Sequence, residues 1–180
     1  ELRSNESFLV AILGYWTIGG VTLSRLTLGC NHSSGGLRVD SAGHVHLIDS
    51  KVLNFRSYGV FGSQLLSGSS HDLVIERCLL TECTLPMSEC ADIKGKSGTG
   101  LLLNFSDSHV RNSVFTCSRA GIINRGGSNT FTDLHIWTSC TGLADYSTNT
   151  TIGFAEEGGA TRISNCQFDN SRLVISQFRG

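Results

Sequence analysis

Several absences narrow the field. The 180 residues hold one proline and one methionine, lysine is scarce, and 14 basic residues face 15 acidic ones, for a net charge of -1. Nucleic acid and anionic membrane surfaces both demand a basic excess, so neither is expected as a partner. The apolar run from Phe8 to Trp16 falls short of the about 20 residues that cross a bilayer, so no membrane span is expected. There is no CxxC pair, no ligand spacing of histidines and no dense aspartate cluster, so no metal and no cofactor is expected. An initiator Met and a charged-then-apolar leader are also missing, and a processed or trimmed chain is expected. Glycine, by contrast, is abundant. Its 21 copies make up about 12% of the chain against a usual ~7%, which suits a turn-rich β protein.

What is present is one pattern written repeatedly. SDSHVRNSVFTCSRAGIIN is followed by GSNTFTDLHIWTSCTGLAD, and laying Asn112 on Asp133 aligns Val110 with Phe131, Phe115 with Ile136, and Gly121-Ile122 with Gly142-Leu143, a period of 21 residues. The polar residue at the centre marks six copies: Arg25, Asp49, Arg77, Asn112, Asp133 and Asn165. Two places before it stand Leu23, Leu47, Ile75, Val110, Phe131 and Ile163, and three places after it Leu28, Val52, Leu80, Phe115, Ile136 and Phe168. A second strand follows at Gly36-Leu37, Gly59-Val60, Gly100-Leu101, Gly121-Ile122 and Gly142-Leu143, with Arg172-Leu173 as a last copy without glycine.

Short β-branched or aromatic segments separated by Gly, Ser and Asn read as strands. A unit of this length leaves no room for the two helices of a helical solenoid. The expected fold is therefore all-β, a parallel β-helix (solenoid) of about six or more coils. Each coil buries an apolar face that it could not bury alone. Residues 1–20 are expected to form an N-terminal strand or cap, and 21–180 the β-helix. Two insertions break the period, at Thr81 to Ser97 and at Ser147 to Gly159, and in a solenoid such insertions often gather on one face to build a groove.

Seven cysteines cannot all pair internally. Cys78 and Cys166, next to their markers, are expected as buried thiols. Cys83 with Cys90 suits a staple across the first insertion, and Cys117 with Cys140 suits a bridge between layers if their Cα atoms lie within about 7 Å. Acceptor sequons at Asn5, Asn31, Asn104 and Asn149 lean, with pairable cysteines, toward a secreted glycoprotein.

The marker column is expected to be a polar ladder at a strand-to-strand corner, with Glu76 and Arg111 pairing across layers. Chemistry is sought in the outward columns. There His135 and Trp137 alternate outward on one strand, and an indole beside an imidazole is a platform for a sugar ring.

The stretch GTGLLLNFSDSHVRNSVFTCSRAGIINRGGSNTFTDLHIWT, with TRISNCQFDNSRLVIS after it, resembles the pectin-lyase-like β-helix superfamily. Within that superfamily the look is of the quartet-type polygalacturonases of plants, and more distantly of phage tail-spike β-helices. The resemblance covers roughly residues 97–176. It implies a right-handed, extracellular β-helix acting on acidic polysaccharide by hydrolysis. The Asn-Thr-Asp, Asp-Asp, Gly-His-Gly and Arg-Ile-Lys segments that mark polygalacturonases are absent.

A glycosidase needs one carboxyl group to protonate the leaving oxygen and a second to attack or to activate water. Asp107 and Asp145, each near the end of a glycine-led strand, are the candidates, with Arg125 as the cation for a uronate and His135 and Trp137 as substrate contacts. The alternative is a non-catalytic glycan-binding or structural β-helix of an extracellular or virion assembly, as a homotrimer or larger, in which outward Leu79 and Val114 make subunit contacts. A lyase is the third option.

Overall fold

The computed structural model describes residues 7–14, 20–31, 34–63, 71–82, 98–117, 120–138, 152–169 and 172–175. Asp145, Gly142-Leu143, Cys83, Cys90, Cys140, Asn5, Asn149 and most of the first insertion lie outside these residues.

No helix occurs among them. The strands in chain order are β1 (Phe8–Leu13), β2 (Val21–Ser24), β3 (Thr27–Gly29), β4 (Gly35–Asp40), β5 (Val45–Ile48), β6 (Lys51–Leu53), β7 (Tyr58–Ser63), β8 (Leu73–Glu76) and β9 (Leu79–Thr81). They continue as β10 (Thr99–Leu103), β11 (His109–Cys117), β12 (Ala120–Asn124), β13 (Asn129–Thr138), β14 (Ile152–Glu156), β15 (Thr161–Ser164), β16 (Gln167–Asp169) and β17 (Arg172–Ile175). Every pairing between them is parallel. Sheet A runs β1-β4-β7-β10-β12-β14-β17, and all the other strands belong to sheet B. Parallel strands stacked in this way are consistent with a β-solenoid. β1 is a strand of sheet A, with Val10 opposite Leu37.

Both marker-relative columns stack in register. Leu23, Leu47, Ile75, Val110, Phe131 and Ile163 face one another on successive strands. Leu28, Val52, Leu80, Phe115, Ile136 and Phe168 do the same. The middle members are at most 1% exposed, and those at the two ends are half-buried against the same core.

The markers explain how positions five apart can both point inward, since an uninterrupted strand would put them on opposite faces. All six adopt a left-handed backbone, with φ between 51° and 55°. One left-handed residue bends the chain and resets the alternation. That conformation costs roughly 1–2 kcal/mol for most residues and least for Asn and Asp, which fill four of the six places. The side chains then form the expected ladder. Arg77 clamps Asp49 through Nε at 2.6 Å and Nη2 at 3.1 Å, and Asn165 donates to Asp133. Arg111 reaches Glu76 at 2.7 Å. These guanidinium contacts hold the Asp49 and Glu76 carboxyls below their usual range.

After four of the markers stands a serine or a cysteine, Ser50, Cys78, Ser113 or Cys166, whose side chain bonds the backbone at the bend. Ser50 Oγ accepts from Leu26 N at 3.1 Å and donates to Ile48 O at 2.7 Å. Ser113 Oγ likewise accepts from Cys78 N and donates to Arg111 O. Cys78 and Cys166 occupy the same column as thiols. Cys78, Cys117 and Cys166 are thiols, and Cys140, the other half of the bridge expected from Cys117, lies outside the described residues. Cys117 is sealed under β10, and burial, aided by the Glu82 carboxylate, pushes its thiol well above the ordinary range.

Sheet A approaches sheet B through a column of glycines. A Cβ on Gly36, Gly59, Gly100 or Gly121 would lie 2.5, 2.7, 2.7 or 2.6 Å from the carbonyl oxygen of the next glycine, the last being Gly153. On Gly100 it would also meet Phe115 Cδ1 at 2.7 Å and Cys117 Sγ at 2.9 Å. This column corrects two expectations. The partner of Gly121-Ile122 is Gly153-Phe154, not Gly142-Leu143. The second insertion therefore ends before Ile152, because 152–156 is β14 rather than loop.

The outer side of sheet A is apolar as well. Phe61, Leu102, Ile123 and Ala155 stack there in one buried column.

If the glycine column sets the spacing between the sheets, Gly100→Ala should lower the unfolding free energy by about 1–3 kcal/mol through overpacking. Gly29→Ala, where nothing lies within 4 Å of the added methyl, should stay within about 0.5 kcal/mol. Urea denaturation of the two variants checks this, and equal effects would remove the packing role.

Candidate functional site

Sheet B has an open outer face, and it is built by alternation. In β13, Ile136 is fully buried, so its neighbours His135 and Trp137 must point outward. Trp137 is 42% exposed. The next layer adds Gln167 opposite His135 and Asp169 opposite Trp137, while the preceding one adds Val114, also exposed, and Thr116.

The polar groups of this patch are tied together. His135 Nε2 lies 2.7 Å from Asp169 Oδ2. Gln167 Nε2 donates to both Asp169 oxygens at 3.1 Å. The His135 hydrogen bond first, and Gln167 next, hold the Asp169 carboxyl below its usual range. Asp169 is thus an ionised acceptor at neutral pH. The result is an exposed indole flanked by a fixed array of acceptors and donors.

Asp107 stands elsewhere, at the turn that leads into β11. It is exposed, with φ of 55°, and its N–H donates to Gly127 O at 3.1 Å. It belongs to a second column of left-handed residues that includes His44, Asp72 and Ser128. His44 Nδ1 lies 2.6 Å from Asp72 Oδ2, and the His71 ring stands edge-on to His44 at 6.0 Å. Arg125 lies on the adjoining layer of the same turn region, where Gly126 and Phe105 are in close contact. Its Nε donates to Glu157 Oε2 at 2.6 Å, so this guanidinium already holds a carboxylate of its own chain. Beneath it Asn124 bonds Glu156 Oε2 and Thr161 Oγ1, each at 2.9 Å, and Asn129 bonds Phe105 O at 2.7 Å. That buried network fixes the turn.

The expected residues therefore fall into two sets. Asp107 and Arg125 share the turn between the sheets, whereas His135 and Trp137 lie at the far end of β13, beyond the Asp133 corner. Sequence reasoning missed Asp169, the partner of His135, and Asp72, one layer from Asp107. The signal for Asp169 was its place four residues past the Asn165 marker, the same place as Trp137 past Asp133.

No group of three or more His, Cys, Asp or Glu residues among those described is arranged to hold a metal ion. Among them, too, no helix is long and apolar enough to cross a membrane. Comparison of the chain with protein-family models, curated proteins and solved structures finds no match.

The array makes a signed prediction. Because the hydrogen bond from His135 is the leading cause of the low Asp169 titration, His135→Ala should move it upward, toward the ordinary carboxylate range near 3.9. Carboxyl-detected NMR titration measures the shift, and a downward move or none would mean that the pair does not form in solution.

Proposed function

We propose that the protein is a right-handed parallel β-helix of six or more coils, akin to the pectin-lyase-like superfamily. In this reading it binds polysaccharide on the outer face of sheet B as a non-catalytic module of an extracellular or virion assembly. The observation that carries the reading is the exposed Trp137 ring beside the His135, Asp169 and Gln167 array. An aromatic face stacks on the apolar face of a sugar, and the flanking polar groups take its hydroxyls. The array is already tied together before ligand arrives, so little side-chain freedom remains to be lost on binding.

Hydrolysis is the second reading, and one observation favours it. Asp72 and Asp107 stand at matching turns of adjacent layers, since Asp72 N donates to Ser106 O and His71 bridges to Ser106. Neighbouring layers lie about 4.8 Å apart at the backbone, which leaves the two side chains within reach of the ~5 Å carboxyl separation of retaining glycosidases. On this reading Asp107 keeps its place as a candidate acid or nucleophile, with Asp72 in the role expected of Asp145.

Two measurements divide the readings. Trp137→Ala should weaken binding to glycan by at least ~10-fold without lowering thermal stability, as expected of a central aromatic contact. Unchanged affinity would reject the platform. An assay of reducing ends released from polygalacturonate and other glycans should show no turnover. Release that falls ~100-fold in Asp107→Asn would instead establish hydrolysis.

A further inference from the structure

We infer that the Trp137 face selects uncharged sugars over uronates, an inference that rests on the glycan-binding reading above. Charge is the ground for it. The two outward columns of this part of sheet B are Thr27, Lys51, Leu79, Val114, His135 and Gln167, and Gly29, Leu53, Thr81, Thr116, Trp137 and Asp169. Their charged members, apart from the imidazole, are Lys51 and Asp169. Asp169 is directly opposite Trp137 on the neighbouring strand. Lys51 is three strands from His135, about 14 Å at the usual strand spacing, beyond a Debye length at physiological salt. The other ionisable group at this end of β13 is Asp133, again a carboxylate, whose described partner is the neutral Asn165. Arg111 and Arg77 are engaged by Glu76 and Asp49.

A sugar stacked on Trp137 therefore meets the Asp169 carboxylate and, apart from its partner His135, no adjacent cation among the described residues. Hydroxyl groups suit it, because Asp169 is ionised and has acceptor sites beyond those used by His135 and Gln167. A uronate carboxylate would face Asp169 at contact range. Like charges a few ångströms apart at a protein surface repel by enough to cost about tenfold in affinity. The specificity thus departs from the acidic polysaccharide implied by the family resemblance.

The test uses the intact chain with matched pairs of ligands: uronan oligosaccharides and the same oligosaccharides with their carboxyl groups reduced to alcohols. Titration calorimetry measures both affinities. The neutral form should bind about tenfold more tightly. Raising the salt to about 1 M should shrink the ratio. Asp169→Asn should bring the uronate close to the neutral ligand, while Trp137→Ala should weaken both. Equal or tighter binding of the uronate by the native chain would overturn the charge selection and leave glycan binding standing, and so would an unchanged ratio in Asp169→Asn. Failure of both ligands to bind would overturn the glycan-binding reading, and the inference with it.

Discussion

The structure depends on each layer fitting its neighbour at one backbone hydrogen-bond spacing, about 4.8 Å. Every side chain is thereby stacked on its counterpart in the next repeat, so a column tolerates only residues that can live beside themselves. Aliphatic and aromatic columns meet this by packing, as Leu47, Ile75, Val110 and Phe131 do. Polar columns meet it by alternating what they offer, as Asp49 does beneath Arg77 and Asp133 beside Asn165. The glycine column meets it by having no side chain, because the next carbonyl already occupies the space.

The corner charges set register more than they add stability. Asp49, Arg77 and Arg111 are all 40% or more exposed, and exposed pairs contribute ~0–1 kcal/mol. A one-residue slip, however, would turn every inward apolar side chain of a strand outward. With the left-handed bend fixed at Arg25, Asp49, Arg77, Asn112, Asp133 and Asn165, such a slip would also take that strand's corner out of line with the corners of its neighbours. The bend and the ladder act together as a register lock.

That same lock makes much of the fold legible in the amino-acid sequence. The two inward columns and the polar marker repeat at fixed offsets, so both can be read from Leu23 to Phe168 and both stack as expected. Sheet A is harder to read. Its strands are buried on both faces, with Leu101 and Leu102 adjacent yet both nearly inaccessible, and a continuous apolar run carries no period. Only the glycine marks its register. Two glycine-led pairs follow Asp133, and the earlier one, Gly142-Leu143, keeps the 21-residue spacing while Gly153-Phe154 is the one in register. An insertion shifts spacing without changing the three-dimensional column.

The site is legible only in half for a related reason. His135 and Trp137 belong to one strand, and their alternation around Ile136 is written in three consecutive letters. The group that orients His135 and charges the face of Trp137 comes from the next layer, at Asp169. It has no distinction within its own repeat, QFDNSRLVI. Its meaning appears only when Trp137 is laid opposite it. In a stacked fold the outward faces of neighbouring layers lie within hydrogen-bonding reach even where their residues are far apart in the chain, as His135 and Asp169 are at 34 positions. The same geometry gives the corner at Asp107 a neighbour in Asp72 that sequence spacing hides. The chemistry of this chain is therefore decided between layers, where the charge of one strand meets the aromatic ring of the next.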